Sequence, residues 1–295
     1  MKKLRRITAV LLIFTLALAL AGCGFAAKMT RAARKMEKLQ SYRMDIGVDM
    51  ELKLSVLGQS LNMDMKMSGS SDINTSPARS KTEMRVEMLG VEQTVLLYGE
   101  RTDDRVTTYS SSDGGETWTK KAGEKGAQTA AAGKSDFSAL LRMADSFEKT
   151  GTETVRGAEA TIYSGVITGS DLENVTVLSG VLKNAFSAMN LPMDGMDLTA
   201  YGGIPTAIDI DSKSGMIVRC TMDLTEFMGN MMPALMSAVM AEAAEESGMK
   251  GLDLRMLGFS AETGRVFVTV EFYDFDAVGT VEIPAGALTA PEAAA

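Results

Sequence analysis

The feature that most constrains the fold is a strict alternation of apolar and polar residues in three successive stretches, 44–54, 61–67 and 82–88. Because successive side chains of a β-strand point to opposite faces, this pattern predicts strands with one apolar and one wet face. Such strands are typical of an antiparallel sheet, since parallel sheets are usually apolar on both faces. The pairs Leu57-Gly58 and Leu89-Gly90 predict tight turns between neighbouring strands.

Further segments with the same two-residue period extend the predicted sheet, at 91–100, 105–110, 153–155, 160–168, 208–211, 216–224 and 266–273. Apolar residues at helical spacing predict helices at 26–40, 135–147, 172–189 and 228–239. A capping box at 170–173 precedes the third of these helices. We expect Pro233 in the first turn of the fourth helix, because a proline deeper in a helix removes a backbone hydrogen bond.

Residue counts exclude several classes of function. The chain has no histidine, so a Ser-His-Asp or Cys-His catalytic site cannot form. Its net charge of −8 argues against a nucleic-acid-binding protein, which would carry a basic stripe. No phosphate-binding loop, zinc-ligand spacing or EF-hand pattern is present, and the paired carboxylates at 103–104 and 245–246 have no neighbour to orient them for acid–base catalysis. We therefore expect a protein that is not an enzyme and that holds no cofactor or metal.

The N-terminal segment predicts where the protein resides. Four basic residues precede an apolar run at 7–21, which is shorter than the roughly 20 residues of a membrane span. The run ends in Leu20-Ala21-Gly22-Cys23, which resembles the bacterial lipobox. We therefore expect residues 1–22 to be a signal peptide and Cys23 to carry a lipid anchor on the outer face of the cytoplasmic membrane; two acyl chains would anchor it stably. A short transmembrane anchor is the alternative interpretation.

The residues that follow the lipobox combine an apolar stripe with five basic side chains, Lys28, Arg31, Arg34, Lys35 and Lys38. This predicted helix either contacts anionic lipid headgroups or presents a solvated outer face, and the sequence does not separate the two. Cys220, the second cysteine of the chain, alternates with Met216, Val218, Met222 and Leu224, which predicts a small buried apolar residue.

The stretch SSDGGETW at 111–118 fits the Asp-box hairpin of sialidases and other β-propellers. Propellers repeat this motif at blade spacing, and this chain contains one copy. We therefore interpret it as a structural hairpin, in which Asp113 accepts backbone N–H groups, Gly114 and Gly115 make the turn, and Trp118 packs at the start of the returning strand. A carbohydrate contact is the less favoured alternative, and catalysis the least.

Methionine is the most unusual component, with 23 residues. Thioethers bind Cu(I), and Met63, Met65 and Met67 share one strand face. However, the methionines are dispersed over strands and helices, at positions where Leu, Ile or Val alternate with them. This distribution favours packing or the lining of an apolar pocket, because the flexible thioether side chain adapts to irregular surroundings.

Three further stretches complete a recognisable order of features: KLQSY at 38–42, IDIDSKSG at 208–215 and FDAVGTVEIP at 275–284. Over residues 23–288 the chain resembles Gram-positive surface lipoproteins of unknown function, similar in layout to the LolA/LolB/LppX-like superfamily. The resemblance implies one α+β domain over 23–288, built as a strongly curved antiparallel β-sheet (a half-barrel) with helices covering the concave face. The alanine-rich composition of the last residues predicts a frayed tail at 289–295. In better-known relatives the cavity under the helices holds acyl chains.

Two functions of different classes remain open. In the first, the protein binds a lipid or another apolar small molecule between the sheet and the helix at 228–239, which acts as a lid. The expected lining residues are Met44, Met50, Met63, Met65, Met67, Met84, Met88, Met232 and Met236. In the second, the core is filled and the protein is a cell-surface interaction or sensor protein that acts through its outer face. A cavity of about 300 Å³ between sheet and helix would favour the first function.

Overall fold

The computed structural model describes six parts of the chain, residues 25–56, 59–102, 105–123, 146–168, 198–246 and 260–292. Its eleven described strands are β1 Ser41–Val56, β2 Gln59–Thr75, β3 Ala78–Met88, β4 Val91–Thr102, β5 Arg105–Ser111, β6 Thr119–Ala122, β7 Glu148–Val155, β8 Ala158–Thr168, β9 Gly203–Asp211, β10 Ile217–Asp223 and β11 Ser260–Tyr273. The described helices are α1 at 25–36, α2 Thr225–Glu246 and α3 Ala285–Leu288, with a 3-10 turn at Leu198–Tyr201.

All of the described strands belong to one sheet, in the order β6-β5-β4-β3-β2-β1-β11-β10-β9-β8-β7. Every strand pair is antiparallel, as the alternating sequence predicts. Within the described residues the sheet stays open, with β6 and β7 at its two edges. The predicted fold class, a curved antiparallel sheet with covering helices, is confirmed, whereas the predicted helices at 135–147 and 172–189 lie outside the described residues except for residues 146 and 147.

Strand β1 lies in the middle of the sheet, where the first strand of the chain pairs with the last. It pairs with its sequence neighbour β2 on one side and with the distant β11 on the other, so that Met50 stands opposite both Met65 and Val266. Side chains that are directly opposite one another share a face of the sheet. The apolar alternation of β1 therefore continues without interruption into the strands on both sides.

The apolar face of the sheet is covered by α1 and α2, which share one hydrophobic core with it. Helix α1 buries Met29, Ala32, Ala33 and Met36, which recur at helical spacing, and leaves its basic side chains exposed. None of the described helices is long and apolar enough to cross a membrane. The core thus holds the N-terminal helix directly against the sheet.

Helix α2 begins earlier than its apolar spacing predicts. The Asp223 carboxylate accepts the Thr225 backbone N–H at 3.0 Å, and the helix starts there rather than at residue 228. Pro233 is consequently an interior residue of α2, and the expectation that it lies in the first turn is wrong. Tertiary packing explains the earlier start, because Phe227, Met228, Met231 and Leu235 are all buried against the sheet.

A smaller hydrophobic cluster lies on the opposite face of the sheet. It joins Tyr98, Tyr109 and Trp118 to Val281, Ala287 and Ala290 of the C-terminal segment. Residues 289–292, which we expected to fray, lie against the sheet here: the Lys120 N–H donates to the Pro291 carbonyl at 3.0 Å, and Lys120 also pairs with Glu292. The C-terminal segment therefore crosses the outer face of β4–β6.

Candidate functional site: the methionine patch

Five of the predicted lining residues form one continuous apolar surface on β2 and β3. In the strand register, Met65 stands opposite Met88, Met67 opposite Val86, and Met84 opposite Gly69. Residues directly opposite each other have Cβ atoms about 4.5–5.5 Å apart. We call the surface made by Met63, Met65, Met67, Met84 and Met88 the methionine patch.

The burial of the predicted lining residues changes sharply across the sheet. Met44 and Met50 on β1 are 3% and 6% exposed and belong to the packed core. Met63, Met65, Met67 and Met84 are only partly buried, and Met88 is 44% exposed. The predicted set therefore divides into a filled half under the helices and an accessible half on β2 and β3.

The methionine patch has a polar border at one end and an apolar border at the other. Toward the β2–β3 turn, the hydroxyls of Ser71 and Thr82 hydrogen-bond each other at 2.9 Å and so satisfy one another. Toward the β3–β4 turn, Leu61, Leu89 and Val91 are exposed, Val91 by 69%. The patch is therefore an apolar surface that continues to a hairpin end.

Helix α2 was expected to act as a lid. Met232 is 4% exposed, and Phe227, Met228 and Met231 beside it are almost completely buried in the same core as β11. The side chain of Met236 lies outside the described residues. In the described part of α2, the helix therefore packs directly onto the sheet.

Asp113 organises the Asp-box hairpin through several hydrogen bonds at once. Its Oδ1 accepts the N–H groups of Glu116 and Thr117 at 3.1 and 3.0 Å, and the hydroxyl of Ser111 at 2.7 Å. Its Oδ2 accepts both the N–H and the hydroxyl of Thr117. Hydrogen bonds from the hydroxyl and the backbone N–H of Thr117, and then from Ser111, hold the pKa of Asp113 well below its ordinary value.

The two glycines and the tryptophan complete this hairpin. Gly114 and Gly115 have φ angles of 78° and 99°, which residues with a Cβ rarely adopt. The Trp118 indole N–H donates to the Gly115 carbonyl at 2.9 Å, and its ring meets Tyr98 edge-on at 5.6 Å between centroids. Each of these groups serves the turn or the packing of the C-terminal segment against it.

A buried ionic cluster on β7, β9 and β10 was not anticipated from the sequence. Asp209 is 1% exposed; its Oδ2 accepts the Arg219 Nε–H at 2.7 Å, and its Oδ1 has no hydrogen-bond partner. Arg219 also pairs with Glu153. Burial raises the pKa of Asp209 to about 6, although Arg219 opposes the shift. The strand register, which pairs Asp209 with Arg219, is the signal that could have revealed the pair.

Cys220 lies beside this cluster, on the inner face of β10. Its side chain is buried among apolar residues of the core, and it is a free thiol. Burial first, and the negative charge of Asp209 second, raise the pKa of Cys220 to about 12. A thiol in this state is unreactive at neutral pH. Among the described residues, no group of three or more Cys, Asp or Glu side chains is arranged to hold a metal ion.

The predicted lipid attachment residue, Cys23, lies outside the described residues, which begin at residue 25 with α1. Lipidation of Cys23 therefore remains a prediction from the sequence. The position of α1 bears on its consequence, because a helix that starts two residues later and packs into the core leaves almost no linker between an anchor and the folded chain.

Comparisons with known proteins return one family and several structures. The model of a family of unknown function, DUF6612, matches residues 27–231. No curated protein matches the sequence. The structure is similar to that of LprF from Mycobacterium bovis, with 12% identity, a TM-score of 0.44, and coverage of 89% of this chain and 96% of that one. It is similar to lipoprotein LppX from Mycobacterium tuberculosis, with 12% identity, a TM-score of 0.41, and coverage of 88% and 98%.

The resemblance to the LolA/LolB/LppX-like superfamily stays a prediction from the sequence. At 12% identity and with TM-scores below 0.5, the likeness does not identify a ligand or an activity for this chain.

Proposed function

Because the chain belongs to the DUF6612 family of unknown function, its function has to be inferred from its own residues, and we propose that it is an extracytoplasmic lipoprotein that binds an apolar ligand on the methionine patch. The ligand is an acyl chain of a lipid or a molecule of similar chemistry. The protein is a binding module and not an enzyme. The lipobox at 20–23 supports an anchor at Cys23 and a position on the outer face of the cytoplasmic membrane.

The observation that carries this proposal is the incomplete burial of the methionine patch. Within the same apolar face, the residues under α1 and α2 are packed to a few per cent exposure, whereas Met65, Met67 and Met84 remain partly exposed and Met88 is 44% exposed. Exposed apolar surface that is contiguous across several residues marks a binding site more often than chance. Methionine suits such a site because its side chain repacks around different ligands.

The proposal is tested by measuring lipid binding directly. Native mass spectrometry of the purified protein should detect a bound lipid, and a fluorescent fatty acid should bind saturably. The double substitution Met65→Gln and Met84→Gln should weaken this binding by about tenfold or more, because each change removes apolar contact worth roughly 1 kcal/mol. Val166→Gln is the matched control, since Val166 is 50% exposed but lies on β8, on the opposite face of the sheet.

A second candidate function is favoured by the packing of α2. Met44, Met50 and Met232 lie in a filled core, as expected for a surface interaction or sensor protein that holds no ligand. The two functions give opposite results in the binding experiment. A protein that is recovered without lipid and does not bind the fatty acid would exclude the first function and favour the second.

A further inference from the structure

A polar cavity of about 210 Å³ lies between α1 and the turn that joins β9 to β10, away from the methionine patch. One water molecule occupies about 30 Å³ of liquid, so the cavity has room for an anion of several non-hydrogen atoms. Its walls come from one side of α1, from β8 and from the turn itself. The lining residues are Lys28, Arg31, Lys35, Thr161, Tyr163, Ile210, Asp211, Ser212, Lys213, Ser214 and Gly215.

The charge of this cavity is opposite to the charge of the protein. Four cationic side chains line it, in a chain whose net charge is −8. The four are exposed, and none of them forms a salt bridge with a carboxylate among the described residues. Elsewhere on the sheet most arginines are paired, for example Arg43 with Asp72 and Arg156 with Glu271.

The one carboxylate among the described residues of the cavity wall is already engaged by the backbone. Asp211 is 8% exposed, and its Oδ1 accepts the N–H groups of Lys213, at 2.9 Å, and of Ser214. These bonds hold the β9–β10 turn in shape, so that Asp211 serves the turn rather than the four cations. The cavity therefore keeps an excess of positive charge.

The positions of the cationic groups are partly fixed before any ligand arrives. Lys35 donates from its ammonium to the Ser214 carbonyl and ties α1 to the turn. Lys28 lies over the ring of Tyr163, 5.7 Å from its centroid, and that ring packs against Phe25. Arg31 donates from Nε to the Ala27 carbonyl at 3.1 Å, and its terminal nitrogens have no carboxylate partner among the described residues. Pre-positioned donors lower the entropy lost on binding.

We propose that this cavity binds a phosphate group. Three ammonium groups and a guanidinium present more donors and more charge than a single carboxylate can use, whereas a phosphate offers several acceptor oxygens and up to two charges. Two sources supply this chemistry: a free phosphate or soluble phosphate ester, and the headgroup of an anionic phospholipid. The cavity lies beside the first helix after the predicted anchor at Cys23, so a headgroup of the same membrane is within reach.

The test measures binding to the full chain, purified in a non-ionic detergent, by isothermal titration calorimetry. The probes are inorganic phosphate, dihexanoyl phosphatidylglycerol and, as a zwitterionic reference, dihexanoyl phosphatidylcholine. The double substitution Arg31→Gln and Lys213→Gln should weaken binding of the anionic probes at least about tenfold. The matched control is Arg34→Gln with Lys38→Gln, which removes two exposed charges of the same region that do not line the cavity.

The possible outcomes distinguish a lipid headgroup from a soluble phosphate, and a specific site from general electrostatic attraction. Tighter binding of phosphatidylglycerol than of phosphate, lost in the cavity variant only, supports a lipid headgroup; equal or tighter binding of phosphate supports a soluble phosphate. Loss of affinity to the same degree in both double variants would show general electrostatic attraction and overturn the site, as would the absence of any binding with a Kd below about 1 mM. The single substitution Lys28→Gln gives a second, independent variant should the double one fail to fold.

Discussion

At the scale of single residues, the buried carboxylate of Asp209 gives a stability effect with an unusual sign. Its pKa is about 6 in the folded chain and ordinarily 3.8, so the folded state binds the proton more tightly than the unfolded state. The stability from this proton is fully present below about pH 4 and is lost as the pH rises through 6. Urea denaturation of the wild type should show this loss, of about 1–3 kcal/mol, and the Asp209→Asn variant should lack it.

The comparison of Asp209→Asn with the wild type needs a control, because the chain has many other carboxylates. Asp49→Asn removes an exposed carboxylate from the same face of the sheet, and its profile should follow that of the wild type. An Asp209→Asn variant whose pH profile is parallel to the wild-type profile between pH 4 and 7 would contradict the assignment.

Asp113 gives the opposite case, a carboxylate whose pKa is depressed by hydrogen bonds. Its contribution is present above the ordinary Asp value and is lost only as the pH falls toward the depressed pKa. Trp118, the one tryptophan of the chain, reports on this hairpin. We expect its emission to stay constant from pH 7 to about 4, and to shift to longer wavelength at neutral pH in Asp113→Ala. Glu116→Ala, which removes an exposed side chain of the same turn, should leave the emission unchanged.

The two aspartates also show what a sequence can reveal about single residues. The roles predicted for Asp113, Gly114 and Gly115 follow from local chemistry, because every atom that binds Asp113 lies within four residues of it. The role of Asp209 depends on Glu153 and Arg219, which come from other strands. In the alternating segment IDID at 208–211, Asp209 has the pattern of a solvated residue, and only the tertiary structure shows that it is buried.

At the scale of elements, the strands were predictable because their pattern is local and repeated, and the turn at Leu89-Gly90 falls where the sequence places it. The start of α2 and the course of the C-terminal segment were not predictable, since both depend on contacts with distant strands. For the C-terminal segment the deciding contact is that of Ala287 and Ala290 with the Trp118 cluster, and alanines carry little signal of burial on their own.

The contact of Ala287 with the Trp118 cluster predicts the effect of a charged substitution in α3. Ala287 is completely buried, and its neighbour Leu288 is 51% exposed. Ala287→Glu should detach the segment, because an unpaired charge does not stay buried next to Trp118. Trp118 should then become more accessible to acrylamide quenching, and the midpoint of thermal unfolding should fall. Leu288→Glu, one position along the same short helix, should change neither property; equal effects of both substitutions would contradict the described packing.

At the scale of the whole molecule, the methionines are a natural probe of which parts of the apolar face are filled. Met29, Met222, Met228 and Met231 are at most 1% exposed, whereas the methionine patch is partly open. Oxidation of methionine to its sulfoxide requires access of the oxidant to the sulfur. Mild hydrogen peroxide followed by peptide mass spectrometry should therefore oxidise Met88 first and the rest of the patch next, with the four buried methionines at least about tenfold slower.

Repeating the oxidation with a fatty acid present separates the fold from its proposed function. An acyl chain on the methionine patch would shield Met65, Met67 and Met84 and leave the rates of the buried methionines unchanged. Equal oxidation of buried and patch methionines without ligand would contradict the packing of α1 and α2 on the sheet. If the order of rates is as expected but the fatty acid does not alter it, the packing stands and the apolar ligand is excluded, because the apolar surface that the described core leaves open would then hold no acyl chain.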